Sequence, residues 1–156
     1  MSDRLRVVFD CNVFAQALLT PKGAARRCVD LVRGGEIILY VSDYVLDEIR
    51  ELHTKLPAKA GVIAKDTDDL AQVVRGVATF IANVPEVYVH PIDADDSPYV
   101  NLAIATGARL ILSADKHLLN LTSGNKPWAK EFAERFADIK VERPDQFLQG
   151  WESSDK

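Results

Sequence analysis

The strongest constraint on this chain is a set of short apolar runs that do not alternate with polar residues. Leu5 to Phe9 is apolar on both faces, Glu36 to Val41 reads EIILYV, and Leu110 to Leu112 is LIL. A strand that faces water on one side alternates; one covered on both sides does not. Helical patterns separate these runs. They cover Asn12 to Leu19, Ala24 to Arg33, a segment after Ser42 with Val45, Leu46, Ile49 and Leu52 as its stripe, Asp66 to Val84, and Asp96 to Thr106. Val87 to Val89 is read as a short third strand before Pro91, and Ile139 to Val141 as an edge strand. Lys126 to Phe136 reads as a further helix, and Pro144 to Leu148 as a last turn. Strands alternating with helices predict an α/β domain with a mainly parallel sheet of four to five strands covered on both faces.

The length of 156 residues fits one domain, expected over 1–150, with residues 151–156 as a C-terminal tail. MSDRLRVVFD enters the first strand directly, and no run is long enough to cross a bilayer, so a cytoplasmic protein is expected. Cys11 and Cys28 form no CxxC pair, and His53, His90 and His117 are scattered, which argues against a zinc site. The net charge of −4 disfavours a general nucleic-acid coat but not an enzyme whose carboxylates hold cations.

In open parallel sheets, ligands bind beyond the carboxyl ends of the strands. There the sequence supplies acids. Asp10 ends VVFD, and Glu48 lies on the edge of a helix stripe between Val45 and Leu52. DADDSPYV carries Asp93, Asp95 and Asp96, and LILSAD ends in Asp115. Singly, each has a structural reading: Asp10, and Asp95 or Asp96, as a helix cap, Glu48 as a solvated acid, Asp115 as the start of a turn. Together they are costly. Two like charges ~4 Å apart repel by about 1 kcal/mol in water and about 4 kcal/mol at an effective dielectric near 20. Hard divalent cations with oxygen ligands relieve that repulsion. Metal-assisted phosphodiester hydrolysis is the chemistry such a cluster suits.

VVFDCNVF, YVSDYVLDEI and DADDSPYVNLAIATGARLILSADKHLL, in that order, resemble a PIN-domain nuclease, and more narrowly the VapC-like toxins of bacterial toxin–antitoxin pairs. The resemblance runs to about Leu119. It implies a three-layer α/β/α sandwich with strand order 3-2-1-4-5, one or two Mg²⁺ or Mn²⁺ ions, hydrolysis of single-stranded RNA, a cognate antitoxin and a homodimer. Asp10, Glu48, Asp96 and Asp115 match the family's four catalytic and metal-binding acids. Asn12 and Ser113 match its supporting polar positions, with Asp93 and Asp95 beside the third acid. Asp96 is preferred as that acid for its spacing to Tyr99, Val100 and Ala103, with Asp95 as N-cap. The sequence departs from the family in SAD before the last acid and in a long helical segment over 120–139.

RNA needs positive charge near an acidic pocket. Lys22, Arg26, Arg27, Lys116 and His117 flank the acids in sequence and are the candidate phosphate contacts. Tyr99 and Trp128 could stack bases, although core packing explains both. Two other readings compete. A haloacid-dehalogenase-type phosphatase also begins with a strand ending in Asp, but needs an acid where this chain has Asn12. A PIN-like binding module without activity would keep the fold and lose the metal.

Overall fold

The computed structural model describes residues 4–154. In chain order the elements are β1 (Leu5–Phe9), α1 (Cys11–Leu19), α2 (Ala24–Arg33), β2 (Ile37–Val41), α3 (Asp43–Arg50), α4 (Leu52–Lys55) and α5 (Ala64–Val77). They continue with β3 (Thr79–Phe80), α6 (Ser97–Thr106), β4 (Leu110–Leu112), α7 (Lys116–Ser123), α8 (Pro127–Arg135), β5 (Lys140–Glu142) and α9 (Pro144–Ser154). Single 3₁₀ turns lie at Ala58–Ala60 and Ala94–Asp96.

The five strands form one sheet in the order β3-β2-β1-β4-β5, and every neighbouring pair is parallel. The chain winds outward from β1 through β2 to β3, then returns to the other side of β1 for β4 and β5. The winding therefore reverses between β1 and β4. Val7, Val8 and Phe9 of β1 and Ile111 and Leu112 of β4 are fully buried, as strands covered on both faces require. Helix α6 packs across β1, β2 and β4, and α2 packs on β2 and α9. No helix among the described residues is long and apolar enough to cross a membrane.

Several elements differ from the sequence expectations. The third strand is Thr79–Phe80, not Val87–Val89, and α5 ends at Val77 instead of running to Val84. Thr79 and Phe80 pair with Tyr40 and Val41, Ile81 N–H continues the ladder to Val41 O at 2.8 Å, and the Arg75 guanidinium lies over the Phe80 ring. A two-residue strand cannot show periodicity, so its apolar residues merge with the helix pattern preceding them. The extended segment at Val87–Val89 has its backbone satisfied by a side chain. Asn101 Oδ1 accepts from Val87 N–H and Tyr88 N–H at 3.0 and 2.8 Å, and Asn101 Nδ2 donates to Tyr88 O at 2.9 Å.

Helix α7 starts at Lys116, ahead of the helical segment expected over 120–139. The 120–139 segment completes it, adds α8 and packs inward: Phe132 is buried against Tyr88, and Thr122 Oγ1 accepts from Val141 N–H of β5 at 3.0 Å. The last turn expected at Pro144–Leu148 is a full helix, α9, reaching into the expected tail. Trp151 packs at the edge of the core and Glu152 pairs with Arg27. Asp155 and Lys156 of that tail, like Met1 to Asp3, lie outside the described residues.

Candidate active site

The point where the winding reverses, between β1 and β4, is where a doubly wound sheet opens a crevice. Phe9 is in register with Leu112, and Asp10 N–H extends the ladder to Leu112 O at 2.9 Å. Asp10 therefore stands opposite Ser113, one residue past each strand. Asp10 holds the N-cap position of α1, but its side chain makes no capping hydrogen bond. Its Oδ2 instead accepts from Ser113 Oγ at 2.7 Å. Ser113 Oγ in turn accepts from Asp115 N–H at 2.9 Å. Asp115 caps α7, its Oδ1 accepting from His117 N–H at 2.8 Å. Asn12, in the first turn of α1, closes the other side: its Oδ1 accepts from Ala114 N–H at 3.2 Å.

The third carboxylate comes from the start of α6, not from a strand end. Asp96 is buried, holds the N-cap position without a capping hydrogen bond, and its Oδ2 has no partner. One carboxylate oxygen from each of Asp10, Asp96 and Asp115 can be chosen so that all three lie within 4.8 Å of one another. The loop before Asp96 is fixed by His90, which is 2% exposed. His90 Nδ1 accepts from Ile92 N–H and Asp93 N–H at 3.1 and 3.2 Å, and Nε2–H donates to His117 O at 3.0 Å. Those bonds define a neutral ring carrying its proton on Nε2. His90 N–H also donates to Ser97 Oγ at 2.7 Å. One ring thus ties the loop carrying the third acid to the helix capped by the fourth. In the sequence His90-Pro91 signals only a break, and nothing there marks the histidine as a tie.

Burial sets the electrostatics of the cluster. Desolvation, with repulsion from Asp115, pushes the Asp10 carboxyl up to about 6, against the lowering effect of Ser113 and of the Cys11 and Asn12 N–H groups. Asp96 is pushed up to about 8, first by desolvation and then by Asp115, Asp10, Asp93 and Asp95. Burial likewise raises the Cys11 thiol to about 12, with Glu48 and Asp10 adding to the effect. Cys11 and Cys28 are both buried free thiols.

The other expected site residues fall in different places. Glu48 is not in the three-acid cluster; it projects from α3, half-buried, and pairs with Lys55 Nζ at 3.3 Å. Asp93, not Asp95, makes the local cap, its Oδ1 accepting from Asp95 N–H at 3.1 Å. Asp95 is exposed, and its carbonyl accepts from Tyr44 O–H at 3.3 Å. Arg26 pairs with Asp30 and Arg27 with Glu152. Lys22 is exposed in the turn after α1; Lys116 is exposed and His117 half-buried in the first turn of α7. Tyr99 is 2% exposed and packs edge-on against Tyr44, and Trp128 packs on His90, so both are packing residues.

The crevice, its acids and the strand order define a doubly wound α/β domain with a carboxylate centre at the switch of the sheet. A PIN domain profile matches residues 6–117. The chain belongs to the PIN domain family. It is 29% identical over 148 residues to uncharacterized protein MJ1680 of Methanocaldococcus jannaschii, covering 85% of this chain and 92% of that protein. Among solved structures it resembles VapBC2 from Rickettsia felis, determined with a DNA fragment from their promoter. That match has a TM-score of 0.55 and 12% identity, and covers 89% of this chain and 98% of the other.

Proposed function

We propose that this chain is a divalent-cation-dependent endoribonuclease that hydrolyses single-stranded RNA, and that it is the toxin of a toxin–antitoxin pair. One observation carries the reading: three carboxylates meet at the sheet's switch point, and one of them has a buried oxygen with no partner. A buried, unpaired acceptor is costly. An all-oxygen donor set of this kind fits Mg²⁺ or Mn²⁺, not zinc. Asp10, Asp96 and Asp115 would hold the ion, and Glu48 would join them by leaving Lys55. Such an ion, when bound, offsets charge on phosphoryl oxygens and makes water a better nucleophile.

The chain's own residues do the positioning. Ser113 orients Asp10, Asn12 fixes the turn before Asp115, and His90 fixes the loop before Asp96. The phosphatase reading is weaker, because Asn12 is an amide already bonded to Ala114 N–H and has no proton to give as a general acid. An antitoxin partner, a cytoplasmic location and a homodimer belong to the same proposal; the likeness to VapBC2 is consistent with the first.

Defined single-stranded RNAs should be cut in Mn²⁺ or Mg²⁺, with EDTA and Asp10→Asn each lowering the rate at least a hundredfold. Wild-type rates in Asp10→Asn would overturn the assignment. No Mn²⁺ binding near neutral pH, together with no RNA cleavage, would favour the inactive module.

A further inference from the structure

At the opposite edge of the sheet, where the strands begin, Arg4, Arg6 and Arg109 line one concavity of about 360 Å³ with Leu5 and Gly107. The chain carries 23 acidic and 19 basic side chains, yet none of these three guanidiniums has a carboxylate partner among the described residues. Two of them are held in place. Arg4 Nη1 donates to Gly35 O at 3.0 Å, and Arg6 Nη1 donates to Thr106 O at 3.3 Å. Gly35 and Gly107 have φ of 75° and 71°, and a Cβ on either would stand 3.8 and 3.6 Å from those same nitrogens. Each guanidinium thus reaches a carbonyl at a backbone turn, and both arginines are exposed. Arg109 makes no such bond among the described residues and faces the same hollow.

Capping of helix ends accounts for Arg4 and Arg6, since cations are favoured near helix C-termini. It does not account for Arg109 or for the convergence of three positive charges on one hollow. Guanidiniums fixed by one bond and open on the others are suited to phosphate oxygens. Near the acid cluster Arg26 and Arg27 pair with Asp30 and Glu152, while Lys22 and Lys116 make no ion pair among the described residues.

We propose that Arg4, Arg6 and Arg109 form a phosphate-binding site that grips the backbone of a single-stranded RNA away from the carboxylate centre. The phosphate chemistry stands on the three arginines alone; the RNA identity of the ligand rests on the nuclease reading. The two sites lie at opposite ends of β1, about 17 Å apart at the rise of a strand; β1 is central and covered on both faces, so an RNA that meets both must pass around the flanking helices.

The test uses the full chain in EDTA, where the carboxylates repel RNA and cannot cleave it. A fluorescein-labelled oligouridylate is titrated by anisotropy at several salt concentrations. The wild type should bind, and Arg109→Gln should weaken binding about threefold with an unchanged thermal midpoint. The triple variant Arg4→Gln/Arg6→Gln/Arg109→Gln should weaken it at least tenfold. Its salt slope should fall by about 0.7 for each phosphate no longer gripped. Lys59→Gln, which removes one exposed charge elsewhere, should bind as the wild type does. In parallel, inorganic phosphate is titrated against the arginine Nε–H signals in NMR spectra. No RNA binding by the wild type, or equal binding by the triple variant, overturns the RNA assignment. If phosphate still shifts all three arginines in that case, the site takes a small phosphate; if it shifts none, there is no site. Cleavage by wild type and Asp10→Asn in Mn²⁺ is measured separately, so failure of the nuclease reading leaves this result interpretable.

Discussion

Ser113 Oγ donates a 2.7 Å hydrogen bond to Asp10 Oδ2 across adjacent strands, and the same oxygen accepts from Asp115 N–H at 2.9 Å. One buried hydroxyl, itself 0% exposed, thus joins the first and last acids of the site. Its proton points at Asp10, which favours the charged carboxylate in a place where burial disfavours it. Ser113→Ala removes that support and leaves the Asp115 N–H without its acceptor. The expected cost is about 1–3 kcal/mol, read from urea unfolding of the metal-free protein. The Asp10 carboxyl should titrate higher still, which carbon-detected NMR of the side chain would show. Ser113→Thr keeps the hydroxyl and should restore both values; if it does not, the loss came from packing.

The pH dependence of the metal-free protein has a definite sign. Asp10 and Asp96 are raised to about 6 and about 8, above the ordinary carboxylate value near 3.8. The folded state therefore binds protons more tightly than the unfolded chain does. The stability due to these groups is fully present below pH about 4 and is lost as pH rises through 6 and then 8. Thermal midpoints in EDTA should fall across that window. Asp96→Asn should reduce the decline from pH about 4 to 8, and Asp10→Asn only the part from about 4 to 6. Mn²⁺ should oppose the decline in the wild type by binding the charged form. A midpoint that rises from pH 5 to 8 in EDTA would contradict the burial of these acids.

Much of this architecture is readable from residue patterns, and the exceptions have physical causes. β2, β4 and the Val7–Phe9 part of β1 are continuously apolar because the sheet is covered on both faces there, and that pattern is specific. Gly107 marks the end of α6 because the chain turns there at φ 71°. β3 escapes because two residues carry no period, and Val87–Val89 misleads because an extended chain can be satisfied by Asn101 instead of a sheet neighbour. Three acids of the cluster are legible because strand ends and a helix start announce themselves. The pairing of Glu48 with Lys55 is not, since a helix stripe says which face a residue is on and not which lysine it meets. His90 leaves no signal, because its role lies in what its two ring nitrogens touch.

Asn101 is the device that holds the approach to the third acid. It is 4% exposed, and its amide makes three hydrogen bonds to the backbone of Val87 and Tyr88. Asn101→Ala strands two N–H groups and a carbonyl close to the core. Destabilisation of roughly 2–4 kcal/mol is expected, at about 1 kcal/mol or more for each group left unsatisfied. Hydrogen exchange should accelerate at Tyr88 N–H before it does in β1. Asn101→Asp keeps the acceptor for the two N–H groups but not the donor, and should fall between alanine and wild type. If exchange in the alanine variant rises equally throughout the sheet, the segment is not a local unit.

Glu48 decides whether the site has three acids or four. Its ion pair with Lys55 is half exposed on the lysine side, and pairs of that kind contribute only about 0–1 kcal/mol. Releasing Glu48 is therefore cheap beside the attraction of a divalent charge. If Glu48 turns to a bound ion, Lys55→Gln should raise Mn²⁺ affinity a few-fold, because it removes a competing cation. Glu48→Gln should lower that affinity, and by less than Asp96→Asn, since Asp96 already faces the cluster with an unpartnered oxygen. Isothermal titration with Mn²⁺ at neutral pH gives all three values. Equal affinities in wild type, Lys55→Gln and Glu48→Gln would leave Glu48 as a partner of Lys55 and limit the metal site to Asp10, Asp96 and Asp115.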